Sequence, residues 1–108
     1  MSTNDYEHLA NVADLKEGAL KAAKRSDGAE VCLFNFGGSI GAVSNVCTHA
    51  EFLISDGMLR PDGTLECAWH GARFDCRTGD LRRGPALDPL AVFPVQIEEG
   101  RVLVGPRA

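Results

Sequence analysis

The chain has 108 residues, of which 44% are hydrophobic and 24% are charged. Eleven basic residues against fifteen acidic ones give a formal net charge of -4 and a pI near 5.2. This length suits a single domain over residues 1–108 and excludes the paired half-folds of a dinucleotide-binding enzyme, and the acidic balance disfavours binding to nucleic acid. No run approaches the roughly 20 apolar residues of a membrane span, and the N-terminus lacks a secretory signal pattern, so we expect a cytoplasmic protein with reduced thiols.

The first half of the chain contains one ambiguous segment and one clear hairpin. Residues 15–24 are rich in Leu, Ala, Lys and Glu, which favours a helix by propensity, although a glycine interrupts the segment. Residues 30–36 carry large apolar side chains on both faces, which predicts a buried strand. Residues 39–46 follow a turn at Gly37 and Gly38, so we expect them to pair back onto that strand.

Two further hairpins are predicted in the second half. An Asp-Gly turn between residues 58–60 and 64–66 supplies the positive φ that tight hairpins need. Apolar and polar residues alternate over residues 93–98, and residues 102–104 return after a glycine as the partner strand. Since turn signals recur throughout the chain, the predicted fold class is all-β, with small sheets joined by tight turns.

Two pairs of metal-ligating residue types follow predicted strands. Cys47 and His49 form a Cys-x-His pair, and Cys67 and His70 form a Cys-x-x-His pair. Two of the three histidines thus stand beside two of the four cysteines, which chance seldom produces. Thiolates and imidazoles bind zinc and iron–sulfur clusters. Zinc knuckles are usually dominated by thiolates, whereas this mixed set matches the Rieske pattern, in which two Cys hold one iron of a 2Fe–2S cluster and two His hold the other.

The sequence around both pairs resembles the Rieske ferredoxins that serve bacterial aromatic-ring-hydroxylating oxygenases. The matching segments are residues 45–50 (NVCTHA) and residues 67–75 (CAWHGARFD), and the resemblance covers roughly residues 31–104. It implies a Rieske fold with three antiparallel sheets, in which a cluster-binding subdomain at about residues 46–85 is inserted in a basal β-sandwich. It also implies a strand at residues 20–24, and we follow the resemblance there over the helix propensity.

The resemblance assigns Cys47 and Cys67 to the buried iron and His49 and His70 to the outer iron of a Rieske 2Fe–2S cluster, with a Gly-Pro turn at residues 84–85 closing over it. The implied function is a one-electron carrier that accepts electrons from a flavoprotein NAD(P)H reductase and donates them to a terminal oxygenase. We expect a monomer. The chain is not expected to be an enzyme, because a Rieske oxygenase also needs a mononuclear iron held by two His and a carboxylate, and only one histidine remains.

Three alternative functions stay open. The small subunit of an assimilatory nitrite reductase shares the Rieske fold, but many of those subunits lack the four ligands that this chain has. A structural zinc domain would be colourless and would hold stoichiometric zinc. A redox sensor would bind a partner with an affinity that changes with its oxidation state.

Several other residues could contribute to function or to packing. We expect Cys32 to be a core residue and Cys76 to be either a core residue or a neighbour of the cluster sulfurs. Four arginines lie within a short span of this acidic chain: Arg73, Arg77, Arg82 and Arg83. We interpret them as a solvated face balanced by Asp75 and Asp80, and the alternative is a basic rim that steers an acidic partner toward the cluster. Trp69 could serve docking or loop packing.

Two positions after the second ligand pair predict a low redox potential. The high-potential Rieske proteins of cytochrome bc complexes carry hydroxyl-bearing Ser and Tyr where this chain has Ala72 and Phe74, and they carry a loop disulfide at the positions of Phe52 and Trp69. Losing donors that favour the reduced cluster lowers the potential. We therefore expect a midpoint below about 0 mV, within the roughly -150 to +300 mV of Rieske centres. A redox titration giving more than about +100 mV would contradict this.

Overall fold

The computed structural model describes residues 5–46, 53–68, 71–83 and 88–107. Within these residues eleven strands form three antiparallel sheets, and the named helical elements are two 3-10 turns, Val12–Asp14 and Ile54–Asp56. The predicted all-β fold with three antiparallel sheets is therefore confirmed. Across the described ranges, no helix is long and apolar enough to cross a membrane.

The three sheets differ in how they use the chain. In chain order the strands are β1 (Glu7–Asn11), β2 (Leu20–Lys24), β3 (Glu30–Phe36), β4 (Ser39–Ser44), β5 (Met58–Leu59), β6 (Thr64–Glu66), β7 (Arg73–Asp75), β8 (Leu81–Arg83), β9 (Val92–Phe93), β10 (Val95–Glu98) and β11 (Arg101–Val104). The first sheet has the order β1-β11-β10, the second β2-β3-β4-β9 and the third β5-β6-β7-β8. The third sheet thus uses one continuous stretch of chain, whereas the other two combine strands that precede and follow it.

Residues 20–24 form strand β2, as the resemblance predicted and against their helix propensity. This strand pairs with β3 from Leu20 opposite Phe34 to Lys24 opposite Glu30. The ladder hydrogen bonds of that pairing outweigh an intrinsic preference that amounts to only tenths of a kcal/mol per residue. The helix-prone residues before β2 form turns instead of a helix.

The three predicted hairpins are present, but the last one begins later than expected. The turns between β3 and β4 and between β5 and β6 contain glycines with positive φ, as their sequences predicted. Phe93, however, lies in β9 of the second sheet and not in the C-terminal hairpin, because Pro94 has no backbone N–H and separates β9 from β10. Ile97 of β10 is 48% exposed, although it belongs to the apolar positions of the alternating pattern.

Strand β3 lies between two buried clusters and contributes to both. Cys32 and Phe34 belong to the hydrophobic cluster between the second and third sheets. Val31 and Leu33 belong to the hydrophobic cluster between the first and second sheets. The side chains of these four residues are at most 3% exposed. The predicted buried strand at residues 30–36 is therefore confirmed, and the second sheet is the middle layer of the molecule.

A buried arginine links the first two sheets. Arg25, which follows β2, is 6% exposed, and its guanidinium donates hydrogen bonds to the carbonyl oxygens of Val104, at 2.6 Å, and Asp5, at 3.0 Å. The carboxylates of Glu7 and Asp27 lie 3.4 Å and 3.3 Å from it. One side chain therefore connects the beginning of β1, the end of β11 and the turn that follows β2.

Replacing this arginine should destabilise the fold. We expect Arg25→Met to lower the free energy of unfolding by about 2–3 kcal/mol, because it leaves the buried Val104 carbonyl without its donor. Arg101→Met is the matched control, since Arg101 also lies near two carboxylates but is 44% exposed, and it should change stability by less than about 0.5 kcal/mol. Urea denaturation measures both variants, and equal losses would contradict the role assigned to Arg25.

Candidate metal centre

Of the four predicted ligands, the structure describes Cys67, whereas Cys47, His49 and His70 lie outside the described residues. The predictions for three further features also fall outside that part of the chain: Phe52, Trp69 and the turn at residues 84–85. The described part of the site consists of Cys67 and the segments that flank both ligand pairs.

Cys67 follows directly after β6 and is 1% exposed. It packs in the cluster between the second and third sheets, together with Ile54 and Phe74. Its backbone N–H donates a hydrogen bond to the carbonyl oxygen of Ala72 at 2.8 Å. This bond fixes the base of the loop that carries the Cys-x-x-His pair.

Buried polar contacts fix the base of the other loop, which carries the Cys-x-His pair. Val46 and Leu53 form a β-bridge across it. Asn45, only 2% exposed, accepts a hydrogen bond at its Oδ1 from the Ser55 backbone N–H at 2.8 Å and donates from Nδ2 to Ser55 Oγ at 3.1 Å. The backbone carbonyl oxygen of Asn45 accepts a further hydrogen bond from the backbone N–H of Ile54 at 2.7 Å. Sequence reasoning assigned no role to Asn45, because its partners lie ten residues away.

The bases of the two loops lie side by side. A Cβ at Gly57 would overlap the carbonyl oxygen of Glu66 and would lie 3.3 Å from the backbone nitrogen of Ala68. Only a glycine allows this approach, so Gly57 positions the segment after the first loop against the start of the second. A cavity of about 320 Å³ is lined by both segments, and Cys67 contributes to it. The structure therefore brings the two loop bases together.

The arginines near the site are only partly balanced by acidic groups. Asp75 pairs with Arg82 at 3.0 Å and with Arg77 at 3.9 Å. Burial raises the pKa of Asp75, but hydrogen bonds from the Arg77 backbone and the Arg82 guanidinium lower it by more, so the pKa lies below its ordinary value. Asp80 forms no ion pair with an arginine in the described ranges. Of the two aspartates expected to balance the arginines, Asp75 does so through ion pairs, and no ion pair within the described ranges involves Asp80.

The remaining described cysteines are core residues. Cys32 is fully buried and Cys76 is 1% exposed, and both belong to the hydrophobic core cluster that also contains Cys67. Burial raises the pKa of the Cys32 thiol to about 12, and burial together with the charge of Asp75 raises the pKa of Cys76. No disulfide joins these two cysteines. The core role predicted for Cys32 is confirmed. Cys76 is also a core residue, which was one of the two roles predicted for it.

The Rieske [2Fe-2S] domain family model matches residues 6–94. This range covers the first sheet in part, the whole second and third sheets and both ligand pairs. The chain therefore belongs to the Rieske [2Fe-2S] domain family, and its cofactor is a Rieske-type 2Fe–2S cluster.

Relatives define the type of Rieske protein more narrowly. The chain is 38% identical over 93 residues to the 3-phenylpropionate/cinnamic acid dioxygenase ferredoxin subunit of Shigella flexneri serotype 5b, a match that covers 86% of each chain. The ferredoxin of carbazole 1,9a-dioxygenase from Nocardioides aromaticivorans IC177 superimposes with a TM-score of 0.87 at 33% identity, covering 94% of this chain and 97% of that chain. A chain from a complex of reduced oxygenase and oxidized ferredoxin in carbazole 1,9a-dioxygenase superimposes with a TM-score of 0.87 at 29% identity. This match covers 94% of this chain and 93% of that chain. The chain is thus a ferredoxin, an electron carrier and not a catalytic subunit.

The raised thiol pKa values predict unreactive cysteines. At pH 8 only about one Cys32 side chain in ten thousand would be a thiolate, and the thiolate is the nucleophile. We expect iodoacetamide to leave Cys32 and Cys76 unmodified in the folded protein and to alkylate both in urea, as measured by peptide mass spectrometry. Alkylation of folded Cys32 at the rate of an exposed cysteine would contradict this expectation.

Proposed function

We propose that this ferredoxin passes single electrons from a flavoprotein NAD(P)H reductase to the terminal oxygenase of an aromatic-ring dioxygenase system. The observation that carries the proposal is the position of Cys67, buried between the fixed bases of two loops that contain a Cys-x-His and a Cys-x-x-His pair. In this proposal Cys47 and Cys67 bind one iron, and His49 and His70 bind the other.

The described surroundings of Cys67 fit a cluster ligand. Its side chain packs among apolar groups, including Ile54 and Phe74, and a thiolate buried in such surroundings is stabilised when it binds a metal ion. The cluster would supply a one-electron redox centre. The hydrogen bonds at both loop bases fix the segments that flank the ligand pairs, and such preorganisation would limit rearrangement when the cluster gains an electron.

The immediate environment supports a low potential. Ala72 and Phe74 are fully buried and bring no hydroxyl group to the site. Hydrogen bonds to the sulfurs and exposure to solvent are the main factors that tune such clusters. A low potential suits a carrier that NAD(P)H reduces through a flavin.

The partners and the location form part of the same proposal. The Rieske ferredoxin relatives are subunits of dioxygenase systems, and one structural match comes from a complex with an oxygenase. Extension of the oxygenase partner to this chain makes a terminal oxygenase its electron acceptor, and we propose a flavoprotein reductase as its electron donor. Buried Cys32 and Cys76 without a disulfide suit a cytoplasmic protein, and we propose that it works as a monomer.

Two cysteine variants test the proposal in one coupled assay. The wild-type protein, after anaerobic reconstitution, should contain two iron atoms and should support aromatic cis-diol formation with NADH, a flavoprotein ferredoxin reductase and the terminal component of a 3-phenylpropionate dioxygenase. We expect Cys67→Ala to lose the iron, the brown colour and the product formation, because it removes a ligand. EPR of the dithionite-reduced protein reports the cluster directly.

Cys76→Ala is the matched control. It also removes one thiol from the hydrophobic core that contains Cys67. Any loss that comes from core packing alone therefore affects both variants. We expect Cys76→Ala to keep its iron and its activity. Retention of the cluster by Cys67→Ala, stoichiometric zinc in place of iron, or electron delivery only to a nitrite reductase would each overturn the proposal.

A further inference from the structure

Positive charge is concentrated at one edge of this acidic molecule. Residues 73–83 contain four arginines and two aspartates, whereas the rest of the chain has seven basic residues against thirteen acidic ones. Strand β8 is the last strand of the third sheet, and no described strand pairs with its outer side. Arg82 and Arg83 are exposed on this strand, and Arg77 is 66% exposed in the turn that precedes it. We call Arg77, Arg82 and Arg83 the basic edge.

The pairing of β7 with β8 brings like charges together. Arg73 lies directly opposite Arg83, and the register then shifts so that Phe74 lies opposite Leu81, with Arg82 as the additional residue. Like charges at directly opposite positions destabilise an antiparallel pair. A bulge in an edge strand redirects side chains and is frequent near functional sites. The arrangement therefore lowers the stability of the sheet, which favours a role in binding over a role in folding.

The basic edge has more guanidinium groups than nearby carboxylates. Arg77 and Arg82 share the single carboxylate of Asp75. Arg83 has no ion-pair partner within the described ranges, and Asp80, the other acidic residue of this stretch, pairs with none of them. Positive charge is thus left over at the edge and available to an external acidic group.

Arg73, beside the basic edge, also lacks good partners. Its Nε atom is buried and has no hydrogen-bond partner in the part of the chain that the structure describes. Glu66 Oε1 lies 3.7 Å away, beyond hydrogen-bond distance, and the same oxygen accepts a hydrogen bond from Arg60 at 2.6 Å. The Glu66 carboxylate is therefore engaged by Arg60 and does not neutralise the charges on β8.

The Arg83 end of this edge lies close to the site. Glu66 of β6 is opposite Arg73 of β7, which is opposite Arg83 of β8, so the three residues form one row across the sheet. Because neighbouring strands lie about 4.8 Å apart, the backbone of Arg83 lies roughly 10 Å from that of Glu66. Glu66 immediately precedes Cys67. A partner bound at the basic edge would therefore sit next to the proposed cluster.

We propose that the basic edge docks a carboxylate-rich surface of the redox partner protein and so orients the cluster toward it. The inference rests on the proposed function and specifies the chemistry of the partner surface. Charges within about one Debye length of each other, about 10 Å at 0.1 M salt, steer encounters between proteins and raise association rates. The rest of the chain carries a net negative charge, which repels an acidic partner overall, so contact is favoured at the basic edge.

Electron transfer to two haem proteins of opposite charge tests this proposal. The dithionite-reduced ferredoxin is mixed with acidic cytochrome b5 or basic cytochrome c in a stopped-flow spectrometer at low and high salt. We expect the double variant Arg82→Gln, Arg83→Gln to lower the rate with cytochrome b5 at low salt about fivefold or more, and to leave the rate with cytochrome c unchanged or raised. At about 0.5 M salt the difference should disappear, because salt screens the charges.

The control is Lys21→Gln with Lys24→Gln, which removes the same charge from exposed positions on β2, in another sheet. We expect it to change the rate with cytochrome b5 less than twofold. Equal losses in the two double variants would overturn the proposal, because net charge alone would then explain them. The midpoint potential of each variant is measured as well, and a rate loss that tracks a changed potential would also overturn it. Wild-type protein that forms no cluster would overturn the proposed function together with this inference.

Discussion

Burial of the second sheet on both faces is the constraint on which the rest of the structure depends. Strand β3 directs alternate residues into two separate clusters, so neither outer sheet could be removed without exposing apolar surface in the middle of the molecule. One of those clusters contains Cys67 and the residues that follow each ligand loop. The packing that stabilises the fold is thus the same packing that positions Cys67.

Local signals in the sequence were sufficient for most of the fold. The hairpin turns could be predicted because their glycines adopt positive φ irrespective of distant residues. The strand at residues 20–24 could not be predicted from propensity, because its pairing with β3 is decided by tertiary contacts, and only the family resemblance indicated it. The separation of β9 from β10 depended on Pro94, which the alternating pattern over residues 93–98 concealed.

The sequence predicted the cofactor of the candidate site, but it did not predict the residues that hold the two ligand loops in position. The pairing of each Cys with a nearby His singled out four candidate ligands, because few other functions use that mixed set. Asn45 and Gly57, by contrast, act on residues that are distant in sequence, through a buried hydrogen-bond pair and a close backbone approach. The unequal balance of the arginines was equally hidden, because the register of β7 and β8 determines which charges face each other. The sequence supplies the candidate ligands, whereas strand register determines which residues surround Cys67.

The side-by-side position of the first and last strands has a consequence for molecular engineering. Glu7, where β1 begins, is paired with Val104, where β11 ends, and Arg25 fastens both positions. Segments attached before β1 and after β11 would leave the domain at the same place. A short linker could therefore join the two strands into one continuous chain, with new ends opened in an exposed turn elsewhere, and such a circular permutant would preserve every sheet.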